Sequence, residues 1–263
     1  MSHSYKPKRP GLLGRLFNSL LKRLGLSLYR RKPDFIYAPR EYGKAYWKKI
    51  DIKQLEPFST LASKVIEDER TLLYFDRLYS MYQALENSLP LAREGMIAEV
   101  GVYKGGGLRF LAEAATQLGY GERTIFALDT FEGHPDRIDH AVDGDHLVGD
   151  FGNTSLESVQ QYLGDRFPCR LIQGPVEQTC HQLNGSRFAF VHLDVDLYSG
   201  TLAALQFFSE RMIPGGTIIV DDYGFLTCEG AMKATREFLQ TRPPFYHLHL
   251  LTGQCLLVKI QRN

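Results

Sequence analysis

No apolar stretch in this sequence is long and uncharged enough to cross a membrane as a helix. The most apolar segment, near the N-terminus, is interrupted by Arg15, Lys22 and Arg23, and no small-residue cleavage site follows it. Neither secretion nor membrane spanning is expected. Cysteine is scarce: Cys169, Cys180, Cys228 and Cys255 form no C-x-x-C pair and no spacing typical of a zinc site. That points to a reduced, cytoplasmic chain and away from structural zinc. Internal repeats and low-complexity segments are missing too, so a solenoid or a long linker is not expected.

Net charge is also nearly absent, at +1, but the balance hides an asymmetry. Residues 1–50 hold 13 Lys/Arg against 2 Asp/Glu, whereas residues 51–263 hold 18 against 28. We therefore expect a basic amphipathic N-terminal extension over 1–50 and one acidic catalytic domain over 51–263, since a chain of this length buries a single sizeable core. In the extension Leu12, Leu13, Leu16, Phe17, Leu20, Leu21 and Leu24 recur on one helical face, and Arg30-Arg31-Lys32-Pro33 ends the helix. Two readings stand side by side for residues 11–29. One is peripheral attachment to an anionic surface, such as the inner face of a membrane, or to a partner; the other is packing on the chain's own domain or on a second subunit of a homo-oligomer. No nucleic-acid partner is expected.

Residues 56–90 read as helical, with Leu61, Val65, Leu72, Leu78 and Met81 on a broad apolar face that ends before Pro90. From Met96 onward short apolar runs alternate with helical stretches, the pattern of a parallel sheet covered on both faces. Strands are expected over 96–101, 124–129, 169–173, 187–193 and 216–221. Two more are expected between Phe245 and Ile260, joined antiparallel around Thr252-Gly253. The fold class is α/β.

The run Ile97-Ala98-Glu99-Val100-Gly101-Val102-Tyr103-Lys104-Gly105-Gly106-Gly107 passes from a strand into a glycine-rich turn and then a helix. Such a turn lets the backbone approach a nucleotide-like ligand, and the helix N-terminus offers free N–H groups. The spacing G-x-x-x-G lacks the third glycine of the dinucleotide fingerprint. Glu99, two residues before the first glycine, favours a ligand with a cationic amine such as S-adenosylmethionine. Asp129 closes the next strand, where an acid can accept both ribose hydroxyls; its alternative role is a helix cap. The third strand ends at Gln173-Gly174, where an adenine would lie against the backbone.

Four more aspartates, Asp194, Asp196, Asp221 and Asp222, fall at the carboxyl ends of the fourth and fifth strands. Carboxylates converging on one cleft repel one another unless a cation neutralises them, and all-oxygen ligation suits Mg²⁺, Mn²⁺ or Ca²⁺ better than zinc. The bland alternative is that each caps the following helix, which accounts poorly for two pairs. His192 precedes Asp194 by two residues and shares its face, either as a catalytic group or as a buried histidine satisfied by its surroundings.

With these residues in place, the chain from about Asp68 to Gln240 resembles the macrocin O-methyltransferases. The resemblance runs through Arg70-Thr71-Leu72, Glu99 to Gly106, Asp129-Thr130-Phe131-Glu132-Gly133, His192 to Tyr198, Pro214-Gly215-Gly216 and Asp221-Asp222-Tyr223 to Gly230. It implies a Rossmann-like class I methyltransferase fold: a mostly parallel seven-stranded sheet with helices on both faces and an antiparallel C-terminal strand. It further implies an S-adenosylmethionine- and Mg²⁺-dependent enzyme that methylates a hydroxyl of a sugar or glycosylated metabolite. In that reading Asp194, Asp221 and Asp222 hold the metal, Asp196 is the general base with His192 beside it, and Asp194 is shared with the cofactor. Glu99, Gly101, Tyr103, Gly105, Gly106, Asp129, Thr130, Phe131, Gln173 and Gly174 complete the cofactor site. Residues 134–154, rich in Asp, His and Gly, are expected to form a lid over the cleft. Three rival readings are a catechol-type enzyme on a small phenolic diol, a nicotinamide oxidoreductase, which the missing glycine disfavours, and a surface-attached binding protein, which the four aspartates disfavour.

Overall fold

The computed structural model describes residues 51–261, so the basic amphipathic segment expected over 11–29 lies outside the described residues. Seven strands form one sheet: β1 (Met96–Val100), β2 (Ile125–Asp129), β3 (Cys169–Gln173), β4 (Phe188–Leu193), β5 (Met212–Val220), β6 (Phe245–His249) and β7 (Cys255–Lys259). Their order is β3-β2-β1-β4-β5-β7-β6. The first five pair in parallel, and β7 runs antiparallel to both β5 and β6. This is the expected class I sheet. Chain direction across it reverses between β1 and β4, the place where open α/β sheets bind ligands.

Strand positions were legible from apolar runs because β1, β4 and β5 are buried on both faces. On one face Ile97, Phe190 and Ile219 pack with Phe58, Leu85 and Phe110; on the other Val100, Val191 and Leu193 pack with Leu205 and Phe208. The first group belongs to helices α1 (Phe58–Glu67), α2 (Phe75–Leu91) and α3 (Gly106–Gln117). The second is covered by α7 (Tyr198–Arg211) and α8 (Glu229–Gln240), and the shorter α4 (His140–Asp143), α5 (Leu156–Leu163) and α6 (Val176–Thr179) lie between α3 and α7 in sequence.

Two expectations are corrected. The helix expected over 56–90 is two helices, broken over 68–74, because that segment is used in another way: Arg70 carbonyl accepts the Gly106 N–H at 3.0 Å, and the Arg70 guanidinium donates to Lys104 carbonyl at 3.2 Å. The fifth strand begins at Met212, four residues before the expected start. Pro214-Gly215 is taken up by a bulge that puts Phe188 opposite Met212 and Phe190 opposite Thr217.

Beyond the strand ends the ladder continues by single hydrogen bonds. Asp194 N–H donates to Val100 carbonyl and Asp221 N–H to Leu193 carbonyl, each at 2.8 Å. Neighbouring strands thus hold these aspartates level. Gly101 makes the arrangement possible, for its φ is +88° and a Cβ there would lie 1.8 Å from the Asp194 carbonyl oxygen. Gly101→Ala should therefore cost at least about 2 kcal/mol from left-handed backbone and collision together. A thermal melt within about a degree of wild type would show that the two strand ends are not in this contact.

Candidate active site

A cleft of about 500 Å³ opens at the carboxyl ends of β1, β2 and β4. Glu99, Gly101, Tyr103, Asp129, Thr130, Gly174, Asp194, Asp196 and Asp222 all border it, so most of the expected site residues converge. Asp129 works as a clasp. Its Oδ2 accepts the N–H groups of Val102 (2.5 Å) and Tyr103 (2.9 Å), and its Oδ1 accepts that of Phe131 (2.6 Å). No helix starts there, since the next begins at His140. The carboxylate ties the turn after β1 to the turn after β2; the Thr130 hydroxyl lies 3.3 Å from Oδ1 but has the shorter contact, 2.6 Å, with Gly133 carbonyl, and when it donates there one of roughly four acceptor positions is left for a ligand's hydroxyl.

Four expected cofactor residues do not border the cleft. Gly105 (φ +87°) caps α3 against Val159, and Gly106 lets the Arg70 backbone approach, so both glycines serve protein packing. Phe131 is buried at 2%, and Gln173 is exposed with its amide turned to Thr130 and Glu132. Among the residues bordering the cleft, Arg70, Thr71 and Leu72 had a signal only in the resemblance. Arg77, His134, His146 and Cys228 had none as site residues. Arg77 sits on a helix whose period reported only its apolar face, and the others come from segments without regular spacing.

Behind the cleft lies a row of charge. His192 is fully buried and does not border the cleft: its Nδ1 lies 3.2 Å from Glu99 Oε1 and its Nε2 lies 3.3 Å from Asp221 Oδ1. It pairs with Glu99 across β1 and β4, and both ring nitrogens are engaged. The geometry thus sets both ring nitrogens against carboxylates and away from the cleft that its sequence position allowed it to reach. Burial disfavours its charge, but the hydrogen bonds it donates to Asp221 and Glu99 outweigh that and push its pKa up to about 10. Asp221 also pairs with Arg77 and accepts Gln254 Nε2 at 2.7 Å. Burial opposes ionisation of Asp221, yet His192, Arg77 and Gln254 together hold it below the usual carboxylate range.

Asp194 and Asp222 differ. Burial, and then the neighbouring carboxylates, raise both well above the ordinary range. One oxygen of each of Asp194, Asp221 and Asp222 lies within 4.8 Å of the others, and Asp222 Oδ2 is buried with no protein partner. Among the described residues, five carboxylates, counting Glu99 and Asp196, meet two cationic side chains, Arg77 and His192. Such a cluster fits a divalent cation: its oxygens suit a hard ion, and the charge deficit calls for one.

Asp196 stands apart. Its backbone is left-handed (φ +57°), its Oδ1 accepts the Cys228 thiol at 3.3 Å, and its Oδ2 lies 3.6 Å from His134 Nε2. Burial and then Asp194 push its pKa up to about 7. Residues 134–154 frame this side of the cleft through His134, His146, Asp150 and Phe151. They are anchored by Asp143, buried at 3%, whose Oδ1 accepts the Tyr198 N–H at 2.7 Å.

The buried row makes alkaline stability measurable. The folded pKa of His192 lies above the ordinary 6.5, so its stabilisation is complete below about pH 6.5 and is lost as pH rises through about 10. Metal-free wild type should lose melting temperature across that window more steeply than His192→Gln. The variant itself should be destabilised at neutral pH by about 3–5 kcal/mol, because two buried carboxylates lose their partner. Parallel pH profiles of the two proteins would show that His192 is not charged in the fold.

Comparison with known proteins places this geometry. A sequence model of the macrocin O-methyltransferase (TylF) family matches residues 68–250. The 8-demethyl-8-(2,3-dimethoxy-alpha-L-rhamnosyl)-tetracenomycin-C 4'-O-methyltransferase of Streptomyces olivaceus is 28% identical over 175 residues, covering 63% of this chain and 67% of the relative. The mycinamicin III 3''-O-methyltransferase of Micromonospora griseorubida is 27% identical over 180 residues, covering 64% and 70%. Among solved structures, the O-methyltransferase NovP superposes with a TM-score of 0.62 at 21% identity, covering 73% of this chain and 83% of that one. None of the helices among the described residues is long and apolar enough to cross a membrane.

Proposed function

The chain belongs to the macrocin O-methyltransferase family, and from that premise we propose that it transfers a methyl group from S-adenosylmethionine to a hydroxyl of a sugar or glycosylated metabolite, with a divalent ion held by Asp194, Asp221 and Asp222. The relatives named above act on a rhamnosyl tetracenomycin and on mycinamicin III, which supports a glycoside acceptor. The observation that carries the reading is the division of labour at the end of β4. Asp194 joins the three-carboxylate cluster, while Asp196, two residues on and still beside Asp194 and Asp222, turns one oxygen to Cys228 and the other toward His134.

The cofactor supplies an electrophilic methyl group, and a bound ion lowers the pKa of an oxygen it touches. The chain's own residues do the rest. Glu99 presents Oε2, buried and without a protein partner, to the cofactor side of the cleft, a fit for an amine. Asp129 accepts hydroxyl donors while holding both turns in place. Asp196 takes the proton of the acceptor hydroxyl, a role a positioned carboxylate at the cleft can fill. Arg77 and His192 keep Asp221 ionised from behind. Transfer then depends on holding acceptor oxygen and methyl group in line.

A labelled-cofactor assay over glycosides, sugar nucleotides and phenolic diols tests the proposal. Asp196→Asn should still bind S-adenosylhomocysteine and metal but lose about 10²–10⁴-fold in turnover. Asp222→Asn should instead raise the Mg²⁺ concentration needed for half-maximal rate. Wild-type turnover that survives exhaustive chelation would remove the ion from the proposal; normal turnover by Asp196→Asn would remove the base. For the cofactor side, Asp129→Asn should weaken S-adenosylhomocysteine binding by about 1.5–3 kcal/mol in calorimetry.

A further inference from the structure

The three-aspartate cluster is not the only convergence of metal-ligating atoms at this cleft. One ring nitrogen of His146, one carboxylate oxygen of Asp196 and Cys228 Sγ lie within 4.8 Å of one another. They come from three separate segments, so no spacing in the sequence announces them. We propose that His146, Asp196 and Cys228 form a second cation site, selective for a borderline divalent ion such as Zn²⁺, whose occupation withdraws Asp196 from the reaction.

The donor set is of the right chemistry. A neutral imidazole, a thiolate and a single carboxylate suit Zn²⁺ or Co²⁺, whereas Mg²⁺ demands oxygen throughout. Distances are compatible as well. With zinc bonds of about 2.0–2.3 Å, tetrahedral ligand pairs lie roughly 3.3–3.7 Å apart; Cys228 Sγ and Asp196 Oδ1 are 3.3 Å apart. Three protein ligands leave a fourth position open toward the cleft.

His146 is prepared for the role by its neighbour. Its Nδ1 lies 3.2 Å from His134 Nε2, and its Nε2 is buried with no hydrogen-bond partner. A histidine whose one nitrogen is held by a neighbour and whose other is vacant is oriented as metal-ligating histidines are. His134 is itself fixed, by an edge-on contact with Phe151 at 5.3 Å between ring centroids. Burial first, and His146 second, lower its pKa to about 4, so it brings no positive charge against an incoming ion.

Without an ion the Cys228 thiol stays protonated, since burial and the carboxylates of Asp222 and Asp196 raise its pKa. A divalent cation reverses that preference. The S–H bond breaks as the S–metal bond forms, the thiol proton leaves to solvent, and a proton on Asp196 leaves with it where one is bound. No electron is transferred. Inhibition follows because Asp196, once a ligand, cannot accept the acceptor's proton. That second half rests on the role proposed for Asp196 above; the binding itself does not.

The full-length chain, stripped with chelator, should be titrated with Co²⁺ alone. A thiolate-to-cobalt charge-transfer band should grow to one equivalent, resist excess Mg²⁺ and be quenched by Zn²⁺. Cys228→Ser should abolish the band, and His146→Gln should weaken Co²⁺ binding by at least about 10–100-fold. The double variant Cys169→Ser/Cys180→Ser should keep it. At saturating Mg²⁺, Zn²⁺ should inhibit wild type reversibly, and His146→Gln should need correspondingly more. A wild type without the band, or a band that survives Cys228→Ser in a folded protein, overturns the site. Tight Zn²⁺ binding with unchanged turnover overturns the inhibitory half alone, while a chain inactive toward every acceptor leaves the cobalt measurement decisive for the site.

Discussion

Crowded negative charge is the constraint on which the rest of this molecule depends. Parallel strands present their carboxyl ends at one edge, and here three neighbouring strands, β1, β4 and β5, each end on or near an acid. Two cations lie among them, His192 fully buried and Arg77 partly so. His192 bridges Glu99 and Asp221, and Arg77 closes on Asp221 from α2. Breaking one partner out of such a row leaves an unpaired charge in low dielectric, a loss of several kcal/mol, so the row fixes the relative height of the strands as firmly as the apolar contacts do. The remaining acids, Asp194 and Asp222, carry the surplus, and they face the cleft or adjoin it. Binding capacity for cations is thus what is left over after the fold has neutralised what it can.

The segment between the first two helices has a related role. Residues 70–73 are neither helix nor strand, and they are held by the turn that follows β1 through the hydrogen bonds of Arg70 with Gly106 and Lys104. Arg70 also lies over the Tyr162 ring at 4.5 Å, which ties α5 to the same point. This segment forms a wall of the cleft, and α2, which carries Arg77, begins immediately beyond it. The glycines at 105 and 106 are therefore constrained by protein backbone, not by ligand. Glycine-rich turns in such sheets serve ligand approach and chain approach alike, and only Gly101 and Gly107 of this run border the cleft.

That distinction marks the limit of what the sequence disclosed. Strand order of appearance, the antiparallel end and the convergence of Asp129, Asp194, Asp196 and Asp222 were legible, because strands buried on both faces read as apolar runs and their ends as the acids that follow. The break over 68–74 was not, since Leu72 and Leu73 continue the apolar pattern of the helices on either side and their reason for leaving the helix lies more than thirty residues away, at Gly106. Arg77 was hidden for the same reason: helical period reports which face is apolar, and a single arginine on the other face reads as solvated. His192 lay in plain view, but spacing alone could not tell a residue facing the cleft from one filled on both sides by carboxylates.

The two residues Asp194 and Asp196 show how a local backbone choice divides chemistry between neighbours. At positions i and i+2 of a regular strand their side chains would share one face and one environment. β4 ends at Leu193, however, and Asp196 takes a left-handed conformation that aspartate tolerates better than most residues. The pleat is lost, and the two carboxylates meet different partners, although Asp196 stays close enough to Asp194 to be raised by its charge. Asp194 stays with Asp221 and Asp222 in an all-oxygen set, and Asp196 turns to the histidines of the 134–154 segment and to Cys228. One group of atoms is suited to hard cations, and its neighbour to proton uptake or to a softer ion.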